Sequence, residues 1–94
     1  MYTLEFKASV KKDFKQISRA DIGFIKESLY QFIEMFSPSY EQELMSLGKI
    51  KKLQGEREPL YRLRLRRYRI IYKKESARLV ILVLSVKSRE GAYR

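Results

Sequence analysis

A cluster of arginines in the last third of the chain has the residue type and spacing needed for chemistry on phosphate. Side chains two residues apart on a β-strand point to the same face, so Arg62, Arg64 and Arg66 are expected to share one, away from the core. Arg69 would join them from the neighbouring strand. The planar guanidinium group donates paired hydrogen bonds to phosphate and stays charged at any working pH. The pattern therefore predicts an anion-binding face.

The overall charge supports that prediction but does not identify the anion. One or two arginines on a strand are ordinarily solvated, whereas the mutual repulsion of a whole cluster is tolerable only when the face is solvated or meets an anion, and the cluster favours an anion. The chain has 21 Lys and Arg residues against 11 Asp and Glu residues, a formal net charge of +10. Such a surplus attracts any polyanion. RNA, DNA, an acidic protein and an anionic membrane surface are all compatible with this charge.

Several tyrosines lie close to the cluster in sequence, and a tyrosine ring can stack on an unpaired base. Tyr61, Tyr68 and Tyr72 occupy the apolar phase of their strands, which favours the protein core. Tyr93 follows the last predicted strand and is the candidate for an exposed ring.

The residue types that are missing restrict the chemistry. The chain contains no cysteine and no histidine, which excludes disulfides and Cys/His metal sites and removes the usual general base near neutral pH. We expect no metal and no cofactor.

Residues 1–94 are expected to form one domain. Met1–Phe6 lacks the apolar core of a signal peptide, and no stretch is long enough to span a bilayer, so we expect a cytoplasmic protein that binds no membrane.

The first half of the chain has the pattern of a strand followed by helices. Apolar residues alternate over 2–6 as in a strand, and over 10–17 they recur at helical spacing. Ser18 is placed to cap a second helix, whose apolar stripe runs over residues 22–36 and ends before Pro38. The two helices would form a hairpin packed on a sheet.

Residues 37–47 are compatible with a third helix or with an ordered loop. In the helical interpretation Pro38 starts the helix, and Tyr40, Leu44 and Leu47 face inward. The pattern does not decide between the two.

The last third of the chain predicts three strands. Residues 61–65 and 68–72 alternate in polarity about a connection at Arg66-Arg67, which lacks the glycine or asparagine usual in a two-residue turn. The apolar run 79–86 fits a strand in the centre of a sheet. The element order predicts an α+β domain: an N-terminal strand, a helical hairpin, then a three-stranded antiparallel C-terminal sheet with helices on one side.

Segments of the C-terminal half resemble the RelE/ParE toxin family. They are Leu53-Gln54-Gly55, then Tyr61-Arg62-Leu63-Arg64-Leu65 and Tyr68-Arg69-Ile70-Ile71-Tyr72, and the closing run Val83-Leu84-Ser85-Val86-Lys87-Ser88-Arg89 followed by Tyr93. Size, element order and basic character agree, so the resemblance covers essentially the whole chain and is nearest to the RelE branch. The fold that it implies is the RelE-like microbial RNase fold.

The resemblance also implies a function and partners. RelE-type toxins of type II toxin–antitoxin systems cut messenger RNA in the ribosomal A site, and an antitoxin silences them. For this chain it implies a ribosome-dependent mRNA endonuclease that contacts 16S rRNA. A cognate acidic antitoxin would be its partner, and the two can form a heterotetramer.

Carried over position by position, the resemblance assigns catalytic roles to Arg62, Arg64, Arg69 and Arg89 and to the tail residue Tyr93. Cleavage would proceed by attack of a 2′-hydroxyl on the neighbouring phosphate, with the arginines stabilising the charge that develops on the phosphoryl oxygens. The other cations of this surface are expected to bind RNA: Lys51, Lys52, Arg66, Arg67 and Lys87.

The chain departs from the family pattern in two ways. The best-known RelE proteins have lysines where this chain has Arg62 and Arg64, and arginine is a poor general base. Many relatives have histidine where this chain has Ser88. Proton removal would then fall to a ribosomal group or to one of Lys51, Lys52, Lys87, Glu90 and Tyr93.

Two other functions stay open at this point. ParE-type relatives share the fold but inhibit DNA gyrase, and a fold does not determine a function. The second alternative is a homologue that binds RNA or antitoxin and cleaves weakly.

Overall fold

The computed structural model describes residues 1–88 of the chain. In chain order its elements are β1 Thr3–Phe6, α1 Val10–Phe14, α2 Arg19–Met35, α3 Pro38–Ser46, β2 Ile50–Lys52, β3 Tyr61–Leu65, β4 Tyr68–Glu75 and β5 Val80–Ser88. The α+β class, the N-terminal strand and the helical hairpin are confirmed, although α1 is short.

The strands form one five-stranded sheet in the order β1-β5-β4-β3-β2. Strand β1 runs parallel to β5, and the other neighbours are antiparallel. The sheet therefore has more strands than the three predicted for its C-terminal part. Strand β2 was not predicted from the sequence because its three residues, Ile50–Lys52, are too few to show an alternation of polar and apolar side chains. Pairing with β1 makes β5 an interior strand, as its apolar run predicted.

The helix boundaries follow from capping residues. The Ser18 hydroxyl accepts the Asp21 amide at 3.2 Å and starts α2, as predicted. Helix α2 then buries Ile25, Leu29 and Phe32 against the sheet. Within residues 37–47, the segment Pro38–Ser46 forms helix α3, so the helical interpretation of this segment is the right one.

The inward face of α3 differs from the prediction. Leu47 is 63% exposed, because the helix ends at Ser46 and Leu47 lies beyond its last turn. Glu41 instead faces inward and is 3% exposed. Its carboxylate accepts the Tyr72 hydroxyl at 2.6 Å and the Lys74 ammonium at 2.7 Å, which attaches α3 to β4.

The core lies between the helices and one face of the sheet. Tyr61, Tyr68 and Tyr72 are buried in it, as predicted, and the rings of Tyr61 and Tyr72 stack at 5.4 Å. The intervening residues of β3 and β4 point to the opposite side of the sheet, which we call the outer face.

Candidate nucleic-acid interface

Three cations lie side by side on the outer face across adjacent strands. Arg64 of β3 is the direct partner of Arg69 on β4, and Arg69 is the direct partner of Lys87 on β5. Directly paired residues of antiparallel strands point to the same face, and neighbouring strands lie about 5 Å apart. These three residues, the cation row, therefore form a short line of positive charge.

A β-bulge places Lys87 in the cation row. Ile71 pairs with Ser85 and Tyr72 pairs with Val83, so Leu84 is an extra residue in β5. Because one extra residue reverses the inward and outward phase of a strand, Val83 and Val86 both face the core, and Lys87 faces outward.

A second pair of cations extends this surface to the edge of the sheet. Lys51 on β2 is the direct partner of Arg62 on β3, so both lie on the outer face. Lys52 is in the opposite phase, because its partner Tyr61 has its ring in the core. The fold therefore brings Lys51 to the predicted surface but not Lys52.

The arginines of the surface differ in their surroundings. Arg64 is exposed, and within residues 1–88 its guanidinium makes no hydrogen bond or ion pair. Arg62 and Arg69 are half-buried, and each interacts with other groups of the protein. Arg64 is therefore the arginine of this set that is available to a ligand without breaking an existing contact.

The expectation that Arg66 points away from the helices is wrong. Its guanidinium carbon lies 3.7 Å from the centre of the Phe24 ring on α2, an arrangement that favours cation–π attraction. The cause is the two-residue turn between β3 and β4, in which Arg66 has a φ of 54° and leaves the strand alternation.

Arg67, the second turn residue, is held by a polar network. Its guanidinium donates to Asp21 at 3.1 Å and to the Tyr68 hydroxyl at 3.1 Å, and the Tyr68 hydroxyl donates to Asp21 at 2.6 Å. The hydrogen bond from Tyr68, aided by Arg67 and opposed by partial burial, lowers the pKa of Asp21 below its ordinary value. The tip of the hairpin is thereby fixed to the start of α2.

The hairpin tip and the two arginines of the cation row line a hollow of about 430 Å³, large enough for a phosphate and part of its nucleoside. Its lining consists of arginines from the turn and from the strands on both sides of the turn. Guanidinium groups around a concave space can donate hydrogen bonds to several oxygens of one phosphate. The lining residues are Arg64, Arg66, Arg67 and Arg69.

An acidic residue that the sequence did not single out borders this end of the sheet. Asp13 of α1 accepts the Val86 amide at 2.9 Å and the Lys87 ammonium at 2.5 Å. The signal available in the sequence was an acid within the lysine-rich helix that contains Lys11 and Lys12.

Ion pairs also occupy the far end of the outer face. Arg78 binds Glu5 at 2.9 Å and Glu75 at 3.0 Å, and Lys73 binds Glu58 at 3.3 Å. These cations are neutralised locally, whereas Arg64 near the hairpin tip has no ion pair within residues 1–88.

Two predicted site residues, Arg89 and Tyr93, lie outside the described residues, as does the candidate base Glu90. Within residues 1–88 no group of three or more acidic side chains is arranged to hold a metal ion. Of the helices in the same part of the chain, none is long and apolar enough to cross a membrane.

Comparison with solved structures places this fold among toxins. An archaeal RelE–RelB complex from Pyrococcus horikoshii OT3 is 26% identical over 94% of each chain, with a TM-score of 0.66. The isolated RelE toxin of E. coli is 26% identical over 94% of this chain and 84% of that one, also with a TM-score of 0.66. RelE in the RelB–RelE antitoxin–toxin complex of Methanococcus jannaschii, 24% identical over 95% and 94% of the two chains, shows the same fold with a TM-score of 0.68.

Sequence comparison identifies the family. No curated protein shows significant sequence similarity to the chain. The sequence model of the family described as "ParE toxin of type II toxin-antitoxin system, parDE" matches residues 4–93, which is nearly the whole chain. The chain therefore belongs to the ParE toxin family and is a toxin of the RelE/ParE superfamily of type II toxin–antitoxin systems.

Proposed function

We propose that this toxin is a ribosome-dependent messenger-RNA endonuclease whose cation row and adjoining hollow hold the scissile phosphate. The observation that carries the proposal is the direct pairing of Arg64 with Arg69 on the outer face. Like charges placed opposite one another destabilise a free sheet, and a bound phosphate removes that penalty. The similarity to the isolated E. coli RelE toxin supports the same conclusion.

In the proposed reaction a ribose 2′-hydroxyl attacks the phosphate that follows it in the message. The new O–P bond closes a 2′,3′-cyclic phosphate, and the bond from phosphorus to the 5′-oxygen of the next nucleotide breaks. Negative charge grows on the non-bridging oxygens and then on the leaving oxygen, where fixed guanidinium groups are most effective. The proposed catalytic residues are Arg62, Arg64, Arg69, Arg89 and Tyr93.

The proton of the 2′-hydroxyl needs an acceptor, and the arginines do not provide one. The base is then sought in a ribosomal group or among Lys51, Lys52, Lys87, Glu90 and Tyr93. Of these, Lys87 forms an ion pair with Asp13.

The remaining cations would bind the RNA strand. Arg66 and Arg67 at the hairpin tip, Lys51 at the sheet edge and Lys87 on β5 lie near the strand arginines, and each phosphate contact adds affinity that weakens with salt. Lys52 would contribute from the other side of the edge, and contacts with 16S rRNA would supply the rest of the ribosomal affinity.

We also propose that a cognate acidic antitoxin covers part of this molecule. The P. horikoshii relative was solved as a RelE–RelB complex. In this chain a groove of about 560 Å³ between α2, α3 and β3 includes the apolar residues Met35, 60% exposed, and Leu47, 63% exposed. Its lining also includes the basic residues Lys49, Arg64 and Arg66. An amphipathic segment with acidic flanks fits such a groove. Two toxin–antitoxin pairs joined through the antitoxin would give the heterotetramer.

A second candidate function follows from the family itself. The matching family is that of the ParE toxins, whose members inhibit gyrase, whereas the similar solved structures cited above are RelE proteins. The same cationic surface would then contact gyrase or its DNA instead of a message.

A pair of assays separates the two functions. The purified toxin is added to a reconstituted translation system that contains a defined message, and to a DNA gyrase supercoiling reaction. The endonuclease proposal predicts a cut message with ribosomes, an intact message without them, and unchanged supercoiling. An intact message together with blocked supercoiling would replace it with gyrase inhibition.

A further inference from the structure

We propose that Asp13 is a positioning residue of the cation row: it holds the end of β5 so that Lys87 stays beside Arg69. The inference rests on the proposed nuclease function. Asp13 lies on α1, outside the set of cations to which a catalytic or RNA-binding role is assigned.

The edge of β5 explains why a carboxylate is needed at this place. Strand β1 pairs with Val80–Val83, and the Lys7 amide makes the last contact with the Val83 carbonyl at 2.8 Å. Strand β5 continues to Ser88. Backbone amides at a free edge need a partner. Asp13 Oδ2 supplies one by accepting the Val86 amide at 2.9 Å.

The second oxygen of the same carboxylate binds the next side chain. Asp13 Oδ1 lies 2.5 Å from Lys87 Nζ, and the Asp13 side chain is 8% exposed whereas that of Lys87 is 53% exposed. Hydrogen bonds between charged partners are the strong ones. One buried carboxylate thus fixes both the backbone at Val86 and the direction of the Lys87 side chain.

The helix that carries Asp13 is itself anchored. Val10 is 1% exposed, and the Phe14 ring packs edge-on against Phe6 with 6.0 Å between ring centres. Asp13 is therefore held between two core contacts of α1 and acts on β5 from a fixed position.

The bulge at Leu84 makes this anchor important for the cation row. Lys87 faces outward only because the extra residue shifts the phase of β5, and the pairing to β1 has already ended there. Without Asp13, the end of β5 would be held by its pairing with β4 on one side and by no other strand among the described residues. The Lys87 side chain would then be free to turn away from Arg69. Arg89, a proposed catalytic residue, directly follows Ser88 in the sequence.

Two simpler roles for Asp13 make different predictions. A purely structural residue would lower stability, RNA binding and cleavage together when replaced. A purely electrostatic residue would repel RNA, so its neutralisation would tighten binding without slowing cleavage. If Asp13 is a positioning residue, its replacement should slow cleavage, while RNA binding is kept or is tightened by the loss of a negative charge. Cleavage should be slower because misplacing a catalytic group by about 1 Å costs about 100-fold in rate.

The test uses the full chain and three variants: Asp13→Asn, which keeps an oxygen acceptor for the Val86 amide, Lys87→Met, and the double variant. Glu5→Gln is the matched control, since it removes a carboxylate that pairs with Arg78 at the far end of the outer face. Single-turnover cleavage of a defined message on ribosomes gives the maximal rate and the half-saturating toxin concentration, and thermal unfolding is measured for each variant.

We expect Asp13→Asn to lower the maximal rate about 10- to 100-fold with an unchanged or lower half-saturation, and Glu5→Gln to match the wild type. Lys87→Met should show the same loss, and the double variant should be no slower than Lys87→Met alone. Should Asp13→Asn fail to fold, Lys87→Met tests the pair from its exposed partner. A wild-type maximal rate in either single variant, or losses that multiply in the double variant, would overturn the inference; a wild-type toxin that cuts nothing would instead overturn the proposed function and the inference with it.

Discussion

Arg64 on β3 lies directly opposite Arg69 on β4, so two guanidinium groups share one small area of the outer face. The adjacent pair in the same ladder, Leu63 with Ile70, is 4% and 0% exposed and holds the two strands together from the core side. The fold is therefore stabilised by the inward partners, and the outward partners are left for contact with an anion.

Replacing Arg64 should separate activity from stability. Arg64→Ala removes an exposed guanidinium that has no described hydrogen-bond or ion-pair partner, so the free energy of unfolding should change by no more than about 0.5 kcal/mol. Loss of one group that stabilises a developing negative charge should slow message cleavage about 100-fold or more. Urea unfolding and single-turnover cleavage measure the two effects. Arg57→Ala, which removes an exposed arginine in the loop before β3, is the control and should cleave normally.

The RNA-binding role of the outer face should appear as a change in salt dependence. Binding of a single-stranded RNA loses about 0.7 in the slope of log K against log salt for each phosphate contact removed. Arg64→Gln and Lys51→Gln should each flatten the slope by about that amount, and the double variant by about twice as much. Fluorescence anisotropy with an uncleavable 2′-deoxy oligonucleotide measures it. Arg78→Gln removes the same charge far from the site, and an equal flattening there would show that only net charge matters.

The buried contact between α3 and β4 should be a main determinant of stability. Glu41→Ala leaves the Tyr72 hydroxyl and the Lys74 ammonium without their acceptor and should cost about 3 to 5 kcal/mol. Glu43→Ala, on the exposed side of the same helix, should cost less than about 0.5 kcal/mol. Urea unfolding compares the two. Equal costs would mean that the Glu41 network contributes nothing specific.

Stability should fall at alkaline pH because of the same network. Burial and the hydrogen bond to Glu41 raise the pKa of Tyr72 above its ordinary 10.0. Burial lowers the pKa of Lys74, but the hydrogen bond and charge of Glu41 outweigh it and raise that pKa above 10.5. Both groups keep their protons in the folded state after the unfolded chain has lost them, so the stabilisation is complete below about pH 10 and decreases above it. Urea midpoints from pH 7 to pH 11 should show that decrease, and Tyr72→Phe should reduce it.

At acidic pH the turn network should lose its contribution. The hydrogen bond from Tyr68, with help from Arg67, lowers the pKa of Asp21 below 3.8 despite partial burial. A carboxyl with a depressed pKa stabilises the fold above its unfolded value, and that stabilisation disappears as the pH falls through the folded pKa. Thermal midpoints measured from pH 6 down to pH 2 should therefore decline less steeply for Asp21→Asn than for the wild type. Identical curves for the two proteins would exclude Asp21 as a source of the decline.

The outward placement of Arg62, Arg64 and Arg69 could be predicted from the sequence, because strand alternation alone determines which face a side chain occupies. The burial of the strand tyrosines followed from the same rule. Strand β2 could not be predicted, since its three residues pair with β3 only in the folded sheet.

Other parts of the site depend on features that local patterns do not contain. The bulge at Leu84 sets the outward phase of Lys87, and a bulge leaves no periodic signal in an apolar run. The position of Arg66 over Phe24 depends on a positive φ in a turn that lacks glycine. Asp13 meets Val86 and Lys87 only because residues far apart in sequence pack together.

The most direct test of the central claim is the chemistry of the RNA ends made on ribosomes. A defined message in a stalled ribosomal complex is treated with the toxin, and the ends are mapped for wild type and for Arg64→Ala. The proposal predicts a single-site cut that leaves a 2′,3′-cyclic phosphate and a 5′-hydroxyl, that is slowed about 100-fold by Arg64→Ala, and that is absent when the attacking nucleotide is 2′-deoxy. A message that stays intact when wild-type toxin is added, or a message that is cut equally well at the 2′-deoxy nucleotide, would contradict the proposal.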